Sequence, residues 1–223
     1  MRSDIFDQKN LEVETGQRFV LQNPKMLKVT LGEPVVAAKG AMVAYQGSVQ
    51  FHHKGADSLA KFVKRAISSD DQALMTVSGQ GDVFFARMAE NVFLIQLEGD
   101  AISVGGSSLL AFDATLQWDL HRTRGAGMAT GGLFNTLIQG HGSVALTSDG
   151  QPVILDCSQQ PTFVDPNAAV CWSANLTPDV VSSMNMTSLL RGGTGEAFQY
   201  KFHGPGFVVV QPSEGFSGVA QSG

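Results

Sequence analysis

The chain has 223 residues, 43% hydrophobic and 16% charged, with 25 glycines and a formal net charge of -5, and its pI lies near 5.4. That balance suits a folded acidic protein and argues against a general nucleic-acid or anionic-membrane surface. No run approaches the roughly 20 apolar residues of a membrane span, so no membrane insertion is expected.

The N-terminal stretch MRSDIFDQKNLEVETGQRF lacks the apolar centre of a signal sequence, and its acidic residues argue against a transit peptide. Short runs rich in Val, Phe and Leu, bounded by Gly, Pro, Asn and Asp, then predict strands at Met26–Leu31, Val92–Leu97, Ser143–Leu146, Val153–Leu155 and Phe207–Gln211. Helix signals are few. Ser58–Ala66 sets Leu59, Phe62, Val63 and Ala66 on one stripe behind a cap at Asp57 or Ser58, and a shorter helical turn is expected at Pro178–Met184. In Gln199–His203, Tyr200 and Phe202 point one way while the polar residues point the other. Strands with one wet face suit antiparallel sheets.

One pattern organises the rest. Glu33–Val49, Asp100–Leu116 and Gln160–Leu176 align without gaps at offsets of 67 and 60 residues, and each carries a small-aromatic-polar triplet: Ala44-Tyr45-Gln46, Ala111-Phe112-Asp113 and Cys171-Trp172-Ser173. A second landmark, G-x-G-x-V, recurs at Gly79–Val83, Gly140–Val144 and Gly204–Val208, each time opening an apolar run. Glycines before a strand mark a turn, a bulge or a close backbone approach, and three equivalent copies argue for geometry rather than a ligand site. The expectation is a single all-β domain, 1–223, built of three repeats at 26–91, 92–152 and 153–215 that share a core. They are expected to form antiparallel β-sandwich or short double-stranded β-helix units around a pseudo-threefold axis, with one or two short helices.

The chemistry-bearing residues are sparse. The five histidines, His52, His53, His121, His141 and His203, show no metal-ligand spacing. Adjacent His52 and His53 on a strand face opposite ways. Gly125–Gly132, after Arg122-Thr123-Arg124, and Arg191–Glu196 resemble phosphate loops but miss the dinucleotide and P-loop spacings. No nucleophile elbow is present. Among the carboxylates, Glu98, Asp100, Asp113 and Asp119 could pair in space, although aspartates near turns usually serve the backbone. Gln46, Asp113 and Ser173 share one repeat position, leaving open a polar ring beside a plain strand face. Cys157 and Cys171 read as free thiols, Cys171 as a small buried filler, in keeping with a reducing compartment and a cytoplasmic address. Catalytic, cofactor-binding and metal residues are therefore assigned to none.

Gly40–Gly47, Leu109–Asp113, Gly132-Leu133-Phe134 with Gly140-His141-Gly142, and Gly204–Gln211 resemble the bacterial relatives of the altered inheritance of mitochondria family numbered twenty-four, over roughly Leu27 to Pro212. The resemblance implies a fold like that of the tryptophan RNA-binding attenuation protein and supplies no catalytic motif. RNA binding would follow from fold analogy alone, and the acidic balance opposes it. Function is expected to be that of a non-enzymatic scaffold or interaction protein, self-associating into a homo-oligomer with an unknown protein partner. The alternative is a small-molecule or nucleic-acid binder using a cleft between repeats.

Overall fold

The computed structural model describes residues 2–53, 74–122, 134–182 and 198–213. The helix expected at Ser58–Ala66 and the glycine-rich segments Gly125–Gly132 and Arg191–Glu196 lie outside these residues. The described residues form fifteen strands preceded by two 3-10 turns, Asp4–Phe6 and Gln8–Asn10. The strands are β1 Phe19–Asn23, β2 Met26–Leu31, β3 Val35–Ala38, β4 Met42–His53, β5 Leu74–Phe85, β6 Asn91–Gly105, β7 Leu109–Asp113 and β8 Gln117–Arg122. They continue as β9 Phe134–Ser148, β10 Val153–Asp156, β11 Thr162–Val164, β12 Ala169–Ser173, β13 Asp179–Ser182, β14 Phe198–Phe202 and β15 Phe207–Val210. Twelve build one antiparallel sheet along the path β1-β2-β5-β3-β7-β9-β6-β12-β15-β10, with β4 on β5 and β8 on β9, while β11-β14-β13 form a second sheet. The large sheet does not close on itself.

The aromatic triplets and the G-x-G-x-V segments pair with each other. Tyr45 stands opposite Val83, Phe112 opposite Val144 and Trp172 opposite Val208, and each pairing has a register shift just before it, at Met42/Ala44, Leu109/Ala111 and Ala169/Cys171. A bulge leaves one residue unpaired and bends its strand. In β4 the bend is continuous: Gly47 sits opposite Gly81, and a Cβ on Gly79 or Gly81 would collide with the backbone carbonyl of Ser48 or Gln46. The second and third copies break the outer strand instead. Leu116 and Leu176 tuck beneath Gly140 and Gly204, within 3.3 and 3.2 Å of where a side chain would begin.

Two further pairings join the copies edge to edge. β3 lies on β5 and also on β7, with Val35, Val36 and Ala37 opposite Asp113, Phe112 and Ala111. β6 lies on β9 and also on β12, with Ile102, Ser103 and Val104 opposite Ser173, Trp172 and Cys171. We call these pairings seams. The cores cross them: a cluster around Leu27, Val35, Val77 and Phe85 takes in Leu110, Ala111 and Ala145, and one around Phe112, Ile138 and Val144 takes in Val36, Val170 and Cys171. A third gathers Cys157, Trp172, Tyr200, Phe202 and Val208, where Trp172 meets both rings at centroid distances of 6.0 and 5.6 Å. Complete burial of a ring such as Phe112 is worth about 1.5–3 kcal/mol.

The helical turn expected at Pro178–Met184 is corrected. Asp179–Ser182 is strand β13, with Val180 opposite Tyr200. Leu176 and Pro178 are buried and Thr177 and Asp179 exposed, a period of two, and the valines Val180 and Val181 favour the pleated surface over a helix. Proline opens the strand, where its missing N–H costs the ladder nothing. In Gln199–His203 the expected alternation is present, with Tyr200 and Phe202 buried and His203 exposed.

The close approach at Gly81, whose φ is +130°, gives the first prediction. Gly81→Ala should cost more than about 2 kcal/mol in urea unfolding. Gly32→Ala, with open space around its Cα, should stay within about 0.5 kcal/mol. Equal midpoints for the two variants would contradict the strand crossing described here.

Candidate functional site

Polar groups buried at the first seam serve the backbone. Arg18, just ahead of β1, places its guanidinium on the Asp113 carboxylate and on the carbonyls of Glu33 and Pro34, while its Nε reaches the Thr30 carbonyl at 3.3 Å. The other Asp113 oxygen, Oδ2, accepts the Ser143 N–H at 2.7 Å. At the second seam, Ser173 Oγ accepts the Phe207 N–H at 3.0 Å. The second glycine of each turn leaves room for this group, since a Cβ on Gly142 would lie 3.0 Å from Asp113 Oδ2 and one on Gly206 2.8 Å from Ser173 Oγ. Asp113 and Ser173 therefore cap strand amides, and Gln46, the third member of that position, stands exposed.

The N-terminal arm is fixed beside this clamp. Lys28 is only 1% exposed, yet it is covered by the arm rather than by the core, with Nζ 2.9 Å from Glu12 and 2.7 Å from Glu14. Burial pulls the ammonium pKa down, but the hydrogen bonds to Glu14 and Glu12 and their charges outweigh it, leaving the pKa raised above 10.5. Val13 and Gln22 exchange two further hydrogen bonds.

The other residues considered from sequence do not converge. Asp119 and His121 form an exposed pair 3.7 Å apart, remote in role from the buried Asp113. Asp100 accepts the Glu98 N–H at 3.0 Å. His52, His141 and His203 are exposed, and among the described residues no three His, Cys, Asp or Glu side chains could hold a metal ion. Cys157 and Cys171 are both free and buried, and burial pushes the Cys171 thiol up to about 12.

What does stand apart is a pair of open sheet edges. From Val43 to Ser48 every residue of β4 is exposed, and among the described residues that strand pairs only with β5. Tyr45 is 50% exposed although its counterparts Phe112 and Trp172 are at 0% and 2%, and its ring packs edge-on against Phe51, at 5.5 Å. Among the described residues β11 likewise pairs only with β14. Phe163 there is 53% exposed, whereas Val36 and Ser103, in the same place on β3 and β6, are at 7% and 5%. Val153, Ile154 and Leu155 of β10 are exposed as well. Tyr45 and Phe163 carry no catalytic signature, and only the contrast between repeat copies singles them out.

The family model described as mitochondrial biogenesis AIM24 matches residues 19–213. The chain is also similar in structure to a Streptococcus pyogenes protein solved by X-ray crystallography, with a TM-score of 0.70 at 20% identity, covering 87% of this chain and 92% of that one. No curated protein matches the chain.

Two predictions follow from the seam and the arm. Asp113→Ala removes both the ion pair and the acceptor for the Ser143 N–H and should cost about 2 kcal/mol; Asp113→Ser, which copies Ser173, should recover about 1 kcal/mol of that. Equal losses in urea unfolding would mean that amide capping contributes nothing. For the arm, the folded pKa of Lys28 is raised, so its stabilisation is complete below the unfolded value of about 10.4 and is lost as pH rises through the folded one. The Tm advantage of the wild type over Glu12→Gln/Glu14→Gln should hold steady up to about pH 9.5 and shrink above it; an advantage that persists there would place its origin elsewhere.

Proposed function

The chain belongs to the mitochondrial biogenesis AIM24 family, and on that premise we propose that it is a non-enzymatic scaffold that self-associates through its sheet edges. Family membership by itself assigns no reaction. The reading takes the chain as three units, 26–91, 92–152 and 153–215, about an approximate threefold axis, with two of the three seams made inside the chain. The observation that carries it is the pair of open edges bearing Tyr45 and Phe163, each half exposed where the equivalent residues are buried. An edge strand with unpaired N–H and C=O groups is a template for another strand. Supporting it, Arg18, Asp113 and Ser173 are engaged in holding strands together and Lys28 in holding the N-terminal arm.

A cytoplasmic address is part of the same proposal, supported by the two buried free thiols. Among the described residues no helix is long and apolar enough to cross a membrane.

Light scattering coupled to size exclusion, run across a hundredfold range of concentration beside native mass spectrometry, tests the reading. The expected outcome is a set of masses at multiples of 23.7 kDa, growing with concentration and free of bound small molecules. A concentration-independent monomer carrying one stoichiometric ligand would overturn the scaffold and favour a binder with a cleft between units.

A further inference from the structure

Resting on that self-association, we propose that the seam left open in each chain is completed by a second copy of it, β11 of one molecule adding to the free edge of β4 in the next. The register follows from the two seams already made. Val35 opposite Asp113 becomes Ile102 opposite Ser173 when each partner moves to the next unit by the sequence offsets. One further step on β3 and β6 leads to Thr162, and the first unit's counterpart of Asp113 and Ser173 is Gln46. The open seam therefore sets Thr162 opposite Gln46, Phe163 opposite Tyr45 and Val164 opposite Ala44.

Side-chain chemistry agrees with that register. Phe163 and Tyr45 are the aromatic residues of 161–164 and 42–46, and they fall opposite each other, where facing side chains on antiparallel strands interact most strongly. Val43 takes the place of Leu110 and Val170, both fully buried in the cores of the units they cross into, and is itself half exposed. Pro161 takes the place of Pro34, whose carbonyl accepts the Ala114 N–H across the first seam at 3.2 Å, so proline at that position is compatible with pairing. Edges meant to stay single are blunted by charged side chains. Residues 42–46 and 161–164 contain none.

The contact joins unlike surfaces, so it is heterologous: each copy offers a β4 edge and a β11 edge. Such contacts build rings where the rotation closes and filaments where it does not. Closure of the same seam within one chain is the rival arrangement, and the test separates the two.

Tyr45→Cys and Phe163→Cys are prepared as separate proteins and mixed under mild oxidation. Opposed residues on antiparallel strands have Cα atoms about 4.5–5.5 Å apart, within reach of a disulfide, and the native thiols are buried. The mixture should give a disulfide-linked dimer in at least tenfold excess over either variant alone. Tyr45→Lys and Phe163→Lys, at exposed positions, should keep the wild-type circular dichroism and Tm and run as single chains in light scattering. Absence of the cross-link while the wild type and both Lys variants remain oligomeric would place self-association elsewhere, sinking the seam but leaving the scaffold. A wild type that is monomeric throughout would sink both. A Tyr45→Cys/Phe163→Cys chain that bridges internally at high dilution, with no cross-link in the mixture, would show closure within one molecule and overturn the proposal.

Discussion

The edge of a β-sheet is the constraint on which this structure depends. Every strand at an edge carries backbone donors and acceptors that must pair with something, and the chain meets that demand twice with the same device. β3 accepts β7, and β6 accepts β12, in one register. The seams do more than pair backbone. They carry Leu110 and Ala111 into the first core and Val170 and Cys171 into the second, so two of the three cores are shared across a seam, while the third is drawn from residues 157–210 alone. On the proposed division into three units, each of about 60 residues buries too little surface for secure folding alone, and the shared cores supply the remainder.

The price of a repeated seam is geometric. A strand that serves one sheet at its start and another at its end has to bend, and the register shifts before Tyr45, Phe112 and Trp172 provide the bend in each copy. Bending brings backbones within touching distance at Gly79 and Gly81, while Gly140 and Gly204 meet the side chains of Leu116 and Leu176, and all four glycines hold φ beyond +110°. In the second and third units the freed space receives Leu116 or Leu176 and the amide-capping Asp113 or Ser173. At the first landmark β4 instead runs straight through with Gly47 facing Gly81, and among the described residues its outer edge has no strand partner. Identical landmarks thus give an interior strand in two copies and an edge in one.

Much of this is legible in the amino-acid order. The triplets and the G-x-G-x-V segments identify the elements that pair, and Tyr200 and Phe202 declare their buried face by alternation. The difference between Tyr45 and its counterparts is not legible, because burial at that position is conferred by the neighbouring unit and not by local sequence. Asp113 is visible as a polar residue at a repeated position, but its work on the Ser143 amide, 30 residues away, depends on Gly142. Arg18 and Lys28 are missed. A lysine between Leu27 and Val29, with Glu12 and Glu14 on one side of an extended arm, is the signal that could have found the second. Val180 and Val181 outweigh the helix-start signal of Pro178 because their partner β14 is distant in sequence.

Hydrogen exchange read by mass spectrometry on peptides covering residues 42–46, 109–113, 161–164 and 169–173 tests the central claim most directly. The account predicts that 109–113 and 169–173 are protected at every concentration, while 42–46 and 161–164, paired on one side only, are partly protected in dilute protein and gain protection of their remaining amides together as it is concentrated. Protection of 42–46 and 161–164 that is complete at the lowest concentration, or that gains nothing at the highest, would contradict it.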